Sequence, residues 1–190
     1  MRLTKPRVPP VSIENAEGEA AELMRARANK NGEVLNVFGT LANFPTAMTP
    51  FLTWASFILS DNNPLPPRER EIVILRTGFL CRSGYEWTQH VRVGLRAGLT
   101  DAEVLRIKAG ADAEGWSPAD AALLKATDDL VKDHFISDAV WAELIEHFSQ
   151  EQAAAVVFSV GQYTLVSMFL NTCGVQLDPG QELDPDLKGF

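Results

Sequence analysis

Apolar positions recur at helical spacing along nearly the whole chain, and nowhere do they alternate long enough to make a strand, so the pattern predicts an all-α protein. From Glu14 to Lys30, Ala16, Ala20, Leu23 and Met24 share one side, and Asn31-Gly32 stops the helix. A short apolar helix from Val34 to Phe44 follows. Thr49 then reads as an N-cap with Pro50 at N1, opening a helix through Phe51, Trp54, Ala55, Ile58 and Leu59. Asp61 to Pro64 is a loop. Pro66-Pro67 opens the next helix, whose run Ile72 to Leu75, with Phe79 and Leu80, is too apolar for a surface. After a short break, Ser83-Gly84-Tyr85-Glu86 has the form of a capping box, which starts a second helix ending at Gly98.

Further on, Thr100 and Glu103 form another capping box for a helix through Leu105 and Ile107. Gly110 to Trp116 connects it to a helix begun by Ser117-Pro118, with Ala122, Leu123, Ala126 and Leu130 on one stripe. Ser137 caps a helix carrying Val140, Leu144 and Phe148. The last helix, Gln150 to Cys173, is the most apolar stretch. It has the length to span a bilayer, but Ser159, Gly161, Gln162, Thr164, Ser167, Asn171 and Thr172 interrupt it and no basic flank follows. A helix buried in the core and at a subunit interface is the better account, with Gln162, Tyr163 and Asn171 as polar groups that must find partners.

Composition adds little to this and charge somewhat more. Hydrophobic residues at 46% and charged ones at 22% are ordinary for a globular protein. The formal net charge of −8, without a basic patch or tail, argues against nucleic acid or an anionic membrane as partner. Two cysteines, Cys81 and Cys173, are too few for a disulfide framework and fit a reducing cytoplasm, so both are expected to stay reduced. The first twelve residues lack the apolar core of a signal peptide; their three prolines predict an extended arm over this subunit or a neighbour.

Candidate chemistry concentrates between Pro66 and Gly98, in Glu69, Glu71, Cys81, Ser83, Tyr85, Glu86 and His90. Glu86 and His90 stand one helical turn apart, so a carboxylate and an imidazole share a face. Each residue also has a purely structural reading: Ser83 and Glu86 as a cap, Glu86 and His90 as an exposed pair, Glu69 and Glu71 as acids favoured in a first helical turn, Tyr85 and Trp87 as packing. His134 and His147 lie near helix C-termini, where an imidazole suits the dipole. Glu86 and His90 could offer a metal two ligands, but no second histidine falls at ligand spacing, and phosphate-binding glycine loops are missing. No metal and no cofactor are expected.

The strings REREIVILRTG and YEWTQHVRVGLRAGLTDAEV resemble the carboxymuconolactone decarboxylase family, whose relatives include the alkylhydroperoxidase D-like proteins. The lead-in Leu41-Ala42-Asn43-Phe44-Pro45, the segment Ser117–Phe148 and the helix Val160–Val175 extend the likeness over about Leu35 to Pro179. The resemblance implies an alkylhydroperoxidase D-like helical bundle, a single domain with a long buried C-terminal helix. Residues 1–34 would be arm and first helix, 35–179 the family domain and 180–190 a tail. It also implies a homo-oligomer (dimer, trimer or hexamer) with a helical pocket between subunits.

The family's peroxidase branch uses a glutamate, a Cys-x-x-Cys pair and a histidine four residues after the second cysteine. Counting back from His90, those positions hold Glu71, Ser83 and Glu86, and Cys81 has no partner at the required spacing. A dithiol cycle needs a second thiol nearby. What remains is Glu71, Glu86 and His90, suited to moving protons, with Ser83 as a fourth catalytic candidate. In this reading the chain is a cofactor-independent decarboxylase or lyase acting on a small carboxylated or lactone-bearing molecule, as in aromatic-compound breakdown. One carboxylate orients the imidazole while its other nitrogen faces the pocket. Tyr85, Arg76, Arg82 and Tyr163 are the candidates for binding substrate. Two readings compete: a peroxidase-like enzyme using Cys81 alone, and a non-catalytic stress-response or interaction protein, which a closed interior around His90 would favour.

Overall fold

A computed structural model describes residues 3–189. Met1 and Arg2 of the expected arm and Phe190 of the expected tail lie outside the described residues. Among those described the protein is all-α, as expected: α1 (Gly18–Arg25), α2 (Asn36–Leu41), α3 (Pro45–Leu59), α4 (Pro67–Leu80), α5 (Gly84–Arg96), α6 (Asp101–Ala109), α7 (Pro118–Asp133), α8 (Asp138–His147) and α9 (Gln150–Cys173), then a single 3-10 turn, Pro185–Leu187.

α4 is the hub. Every residue from Arg70 to Gly78 is buried, and the helix packs against α5, α6, α7 and α9. Burying Ile72, Val73, Ile74 and Leu75 completely stabilises the fold by about 1.5–3 kcal/mol each. α9 is a core helix lying parallel to α4. Near one end Gln152 Nε2 donates to the Pro64 carbonyl, and at the other Asn171 Nδ2 donates to the Cys81 carbonyl. Facing positions on the two helices are therefore about 89 residues apart in sequence. Among the described residues α9 alone is long and apolar enough to cross a membrane, yet much of its surface is covered by the rest of the chain.

Several helix starts and caps differ from the sequence expectation, among them α2, which begins at Asn36 and ends at Leu41. α1 begins at Gly18, because Ser12 to Asn15 form a turn closed by the Asn15 N–H on the Ser12 carbonyl. It ends at Arg25, because Asn29 Oδ1 accepts from the N–H groups of Asn31 and Glu33 and holds that backbone in a turn. α3 starts at Pro45, not at Pro50, which lies inside the helix. Thr49 is not a cap there; its hydroxyl donates to Glu19 Oε1 at 2.6 Å.

A further case is the break between α4 and α5. The Ser83 N–H donates to the Gly78 carbonyl and the Arg82 N–H to the Phe79 carbonyl, both at 2.9 Å, with Arg82 left-handed at φ 54°. This is a Schellman closure with arginine where glycine is usual. It consumes the Ser83 N–H that a capping box would offer to Glu86, and the Ser83 hydroxyl makes no cap bond either. The boxes at Thr100 and at Ser149 do form. Ser137 precedes α8, but its hydroxyl donates to Asp129 Oδ2.

Candidate functional site

The turn at Cys81 to Ser83 folds α5 back beside α4, and two glycines let the helices come close. A Cβ on Gly78 would stand 3.5 Å from Glu86 Cγ, and one on Gly94 would stand 3.6 Å from Glu71 Cβ and 2.8 Å from Leu99 Cδ1. Glu71 of α4 therefore reaches His90 of α5, with Oε2 2.7 Å from Nδ1. Glu86, one turn before His90, places Oε1 3.0 Å from Nε2. The two separations bring together the three residues that the sequence suggested for proton transfer.

Their arrangement differs from the expectation in one respect. Neither ring nitrogen faces a pocket, because each points at a carboxylate. Exposure is 1% for Glu71, 5% for Glu86 and 8% for His90. Burial by itself would lower the imidazole pKa, but the paired charges of Glu71 and Glu86 outweigh it and raise it from 6.5 to about 10. His90 is thus an imidazolium at neutral pH, with both N–H groups donating. Tyr163 of α9 meets the imidazole edge to face, with ring centroids 4.9 Å apart. Burial, then Glu86 and Glu71, hold its phenol far above the usual range.

The other suggested residues lie apart from this trio. The Tyr85 hydroxyl donates to Asp178 Oδ2 at 2.8 Å, and its ring packs with Val166, Leu170, Cys173 and Val175, so it ties down the C-terminal segment. Arg76 sends Nε and Nη2 to Asp128 and Nη1 to the Ile107 and Lys108 carbonyls. It joins α4 to α6 and α7, with four of its five N–H donors engaged within the protein. Arg82 is exposed at the helix break. Ser83 is completely buried, and its Oγ has no hydrogen-bond partner within the protein.

Arg70 went unnoticed in the sequence. It is buried, sends Nη1 and Nη2 to the Ser60 and Leu59 carbonyls, and places a positive charge near Tyr163. Its partners are backbone groups at the end of α3, for which no sequence signal exists. Cys81 lies elsewhere, in an open cleft of about 420 Å³ lined also by Leu3, Arg7, Met168, Asn171 and Thr172. Neither cysteine forms a disulfide among the described residues, and Cys173 is buried.

Residues 45–129 match the model of the carboxymuconolactone decarboxylase family. No curated protein matches the chain by sequence. Among solved structures, an uncharacterized peroxidase-related protein from Ralstonia eutropha JMP134, described as an alkylhydroperoxidase AhpD core, is 21% identical; the match covers 92% of this chain and 93% of that one, with a TM-score of 0.80. An uncharacterized peroxidase-related protein from Silicibacter sp. TM1040 is 14% identical over 93% of this chain and 96% of that one, at 0.78. The debrominase Bmp8 in complex with 2,3,4-tribromopyrrole is 13% identical over 93% and 94%, at 0.76. These likenesses establish the fold.

Proposed function

We propose, for a chain whose residues 45–129 belong to the carboxymuconolactone decarboxylase family on an alkylhydroperoxidase D-like fold, an enzyme that moves protons on a small carboxylated or lactone-bearing substrate. The observation that carries this reading is the imidazolium of His90 held between Glu71 and Glu86. A decarboxylation leaves an enolate that must be stabilised and then reprotonated on carbon. A buried imidazolium flanked by two carboxylates supplies positive charge and a proton together. Glu71 fixes the ring, and Glu86 is the partner through which protons enter and leave. Tyr163 bounds the ring on the α9 side.

The test is a panel of carboxylated lactones and β-keto acids, followed by CO₂ release and proton uptake. His90→Gln is expected to keep the fold and to lose about 10²–10⁴-fold in turnover. Equal turnover by His90→Gln would remove the reading.

One observation favours a second reading, peroxidase-like chemistry at Cys81: that residue alone of the two cysteines opens onto a cleft, with Arg7 beside it. Peroxide consumption with an external thiol that disappears in Cys81→Ser would establish it in place of the first. A non-catalytic role is favoured by the burial of the trio. Substrate-independent function in His90→Gln cells would support it.

A further inference from the structure

Among the described residues, six buried side-chain polar atoms have no hydrogen-bond partner, and only Arg70 Nε belongs to a charged group; the others are four hydroxyls and an amide. No carboxylate among those residues pairs with Arg70 either, because its Nη atoms reach the Leu59 and Ser60 carbonyls. A buried guanidinium met by neutral groups alone is costly, and an anion is the partner that offsets the cost.

The surroundings of Nε follow from the contacts of its neighbours. Ile58, Ile74 and Tyr163 pack in one cluster, so the last turn of α3 touches α4 and α9 where Leu59 and Ser60 also hold Arg70. Arg70 lies one turn before Ile74 and Ser159 one turn before Tyr163; on parallel helices these two residues are opposite each other as well. The buried hydroxyls of Thr77 and Thr127 donate to the carbonyl four residues back, whereas that of Ser159, completely buried, does not. The Tyr163 hydroxyl has no partner among the described residues, and the Arg70 charge acts on it. Glu71, Glu86 and His90 sum to one negative charge, which would repel an anion; Arg70 brings the group to neutrality.

We propose that Arg70 Nε, the Ser159 hydroxyl and the Tyr163 hydroxyl form a subsite that holds a carboxylate of the substrate beside the His90 imidazolium. A carboxylate supplies the acceptors that all three lack, and Arg70 is already fixed through its Nη atoms before a ligand arrives. The Tyr163 ring touches His90, so the held molecule lies next to the proton it is to receive. The inference rests on the proton-transfer reading for its substrate, but its test reads binding alone.

That test follows the Arg70 Nε–H signal by nuclear magnetic resonance in the full labelled chain, assigned through bonds from the Arg70 backbone, while acetate is added at constant ionic strength. Acetate should move the signal saturably, and acetamide, its neutral isostere, should leave it in place. Ser159→Ala and Tyr163→Phe should each weaken acetate binding tenfold or more. Ser167→Ala, which removes another unpartnered hydroxyl about 12 Å further along α9, should not. A signal that acetate does not move, or that acetamide moves equally, overturns the proposal. So does an unchanged affinity in both subsite variants, or equal weakening in Ser167→Ala. An Nε–H lost to rapid exchange overturns it too, since solvent would then be its partner. If one subsite variant does not fold, the other decides. Acetate binding together with a fully active His90→Gln would keep the subsite and discard the catalytic reading. No acetate binding together with an inactive His90→Gln would do the reverse, so the two failures are distinguishable.

Discussion

His90 links burial to charge. Its folded pKa of about 10 lies above the ordinary 6.5, because Glu71 and Glu86 outweigh the burial penalty. A group raised in this way contributes stability in full below about pH 6.5 and loses it as pH climbs through about 10. Urea unfolding across that window should therefore show a falling stability whose slope shrinks in His90→Gln. Equal slopes in the two proteins would place the titration elsewhere. Glu71→Gln leaves the imidazolium with one carboxylate and breaks a buried pair, at a cost of about 3–5 kcal/mol; a loss below 1 kcal/mol by urea denaturation would contradict that. Ser83→Ala, in contrast, removes no cap, because the hydroxyl makes no cap bond.

α4 and α5 meet across Gly78 and Gly94, and the two positions differ in how much they tolerate. A methyl on Gly78 falls at ordinary contact distance from Glu86 Cγ, 3.5 Å, while alanine gains about 0.8–1 kcal/mol of helix propensity. A methyl on Gly94 would lie 2.8 Å from Leu99 Cδ1 and 3.3 Å from Leu75 Cδ1. Overpacking of that kind costs about 1–3 kcal/mol and would spread the helices that hold Glu71 against His90. Gly78→Ala should thus keep or raise the melting temperature and Gly94→Ala lower it. The reverse order would mean that the helix spacing is set elsewhere.

Trp54 and Leu59 on α3 and Phe158, Leu165 and Met168 on α9 are exposed, with Trp54 packed edge to face against Phe158. This apolar face supports the proposal of a homo-oligomer made from the sequence, while cytoplasmic residence stands as a proposal resting on the two cysteines. Light scattering at micromolar concentration should give a mass above the 20.9 kDa of one chain, and Phe158→Glu should reduce it. A wild-type monomer would end that proposal. The division into residues 1–34, 35–179 and 180–190 likewise stands as a proposal, since α1 and the final segment both pack onto the bundle.

Local rules carried the sequence a long way. The 3.6-residue stripe set α7 and the length of the apolar runs set α4 and α9, the box at Thr100 and the Ser117-Pro118 start could be read directly, and the Glu86–His90 pair follows from the pitch of one helix. Interactions across long separations could not be read in that way. The family likeness nominated Glu71, but only the folded chain shows both histidine nitrogens taken, one of them by a residue 19 positions away. Nor could the sequence show that the Tyr85 hydroxyl donates to Asp178, 93 positions on, or that Arg76 pairs with Asp128, 52 positions on. A side chain's type fixes which bonds it can make. Which one it does make depends on the groups that packing brings within 3 Å, and for a buried charge the competition is decided by whichever partner offsets its desolvation.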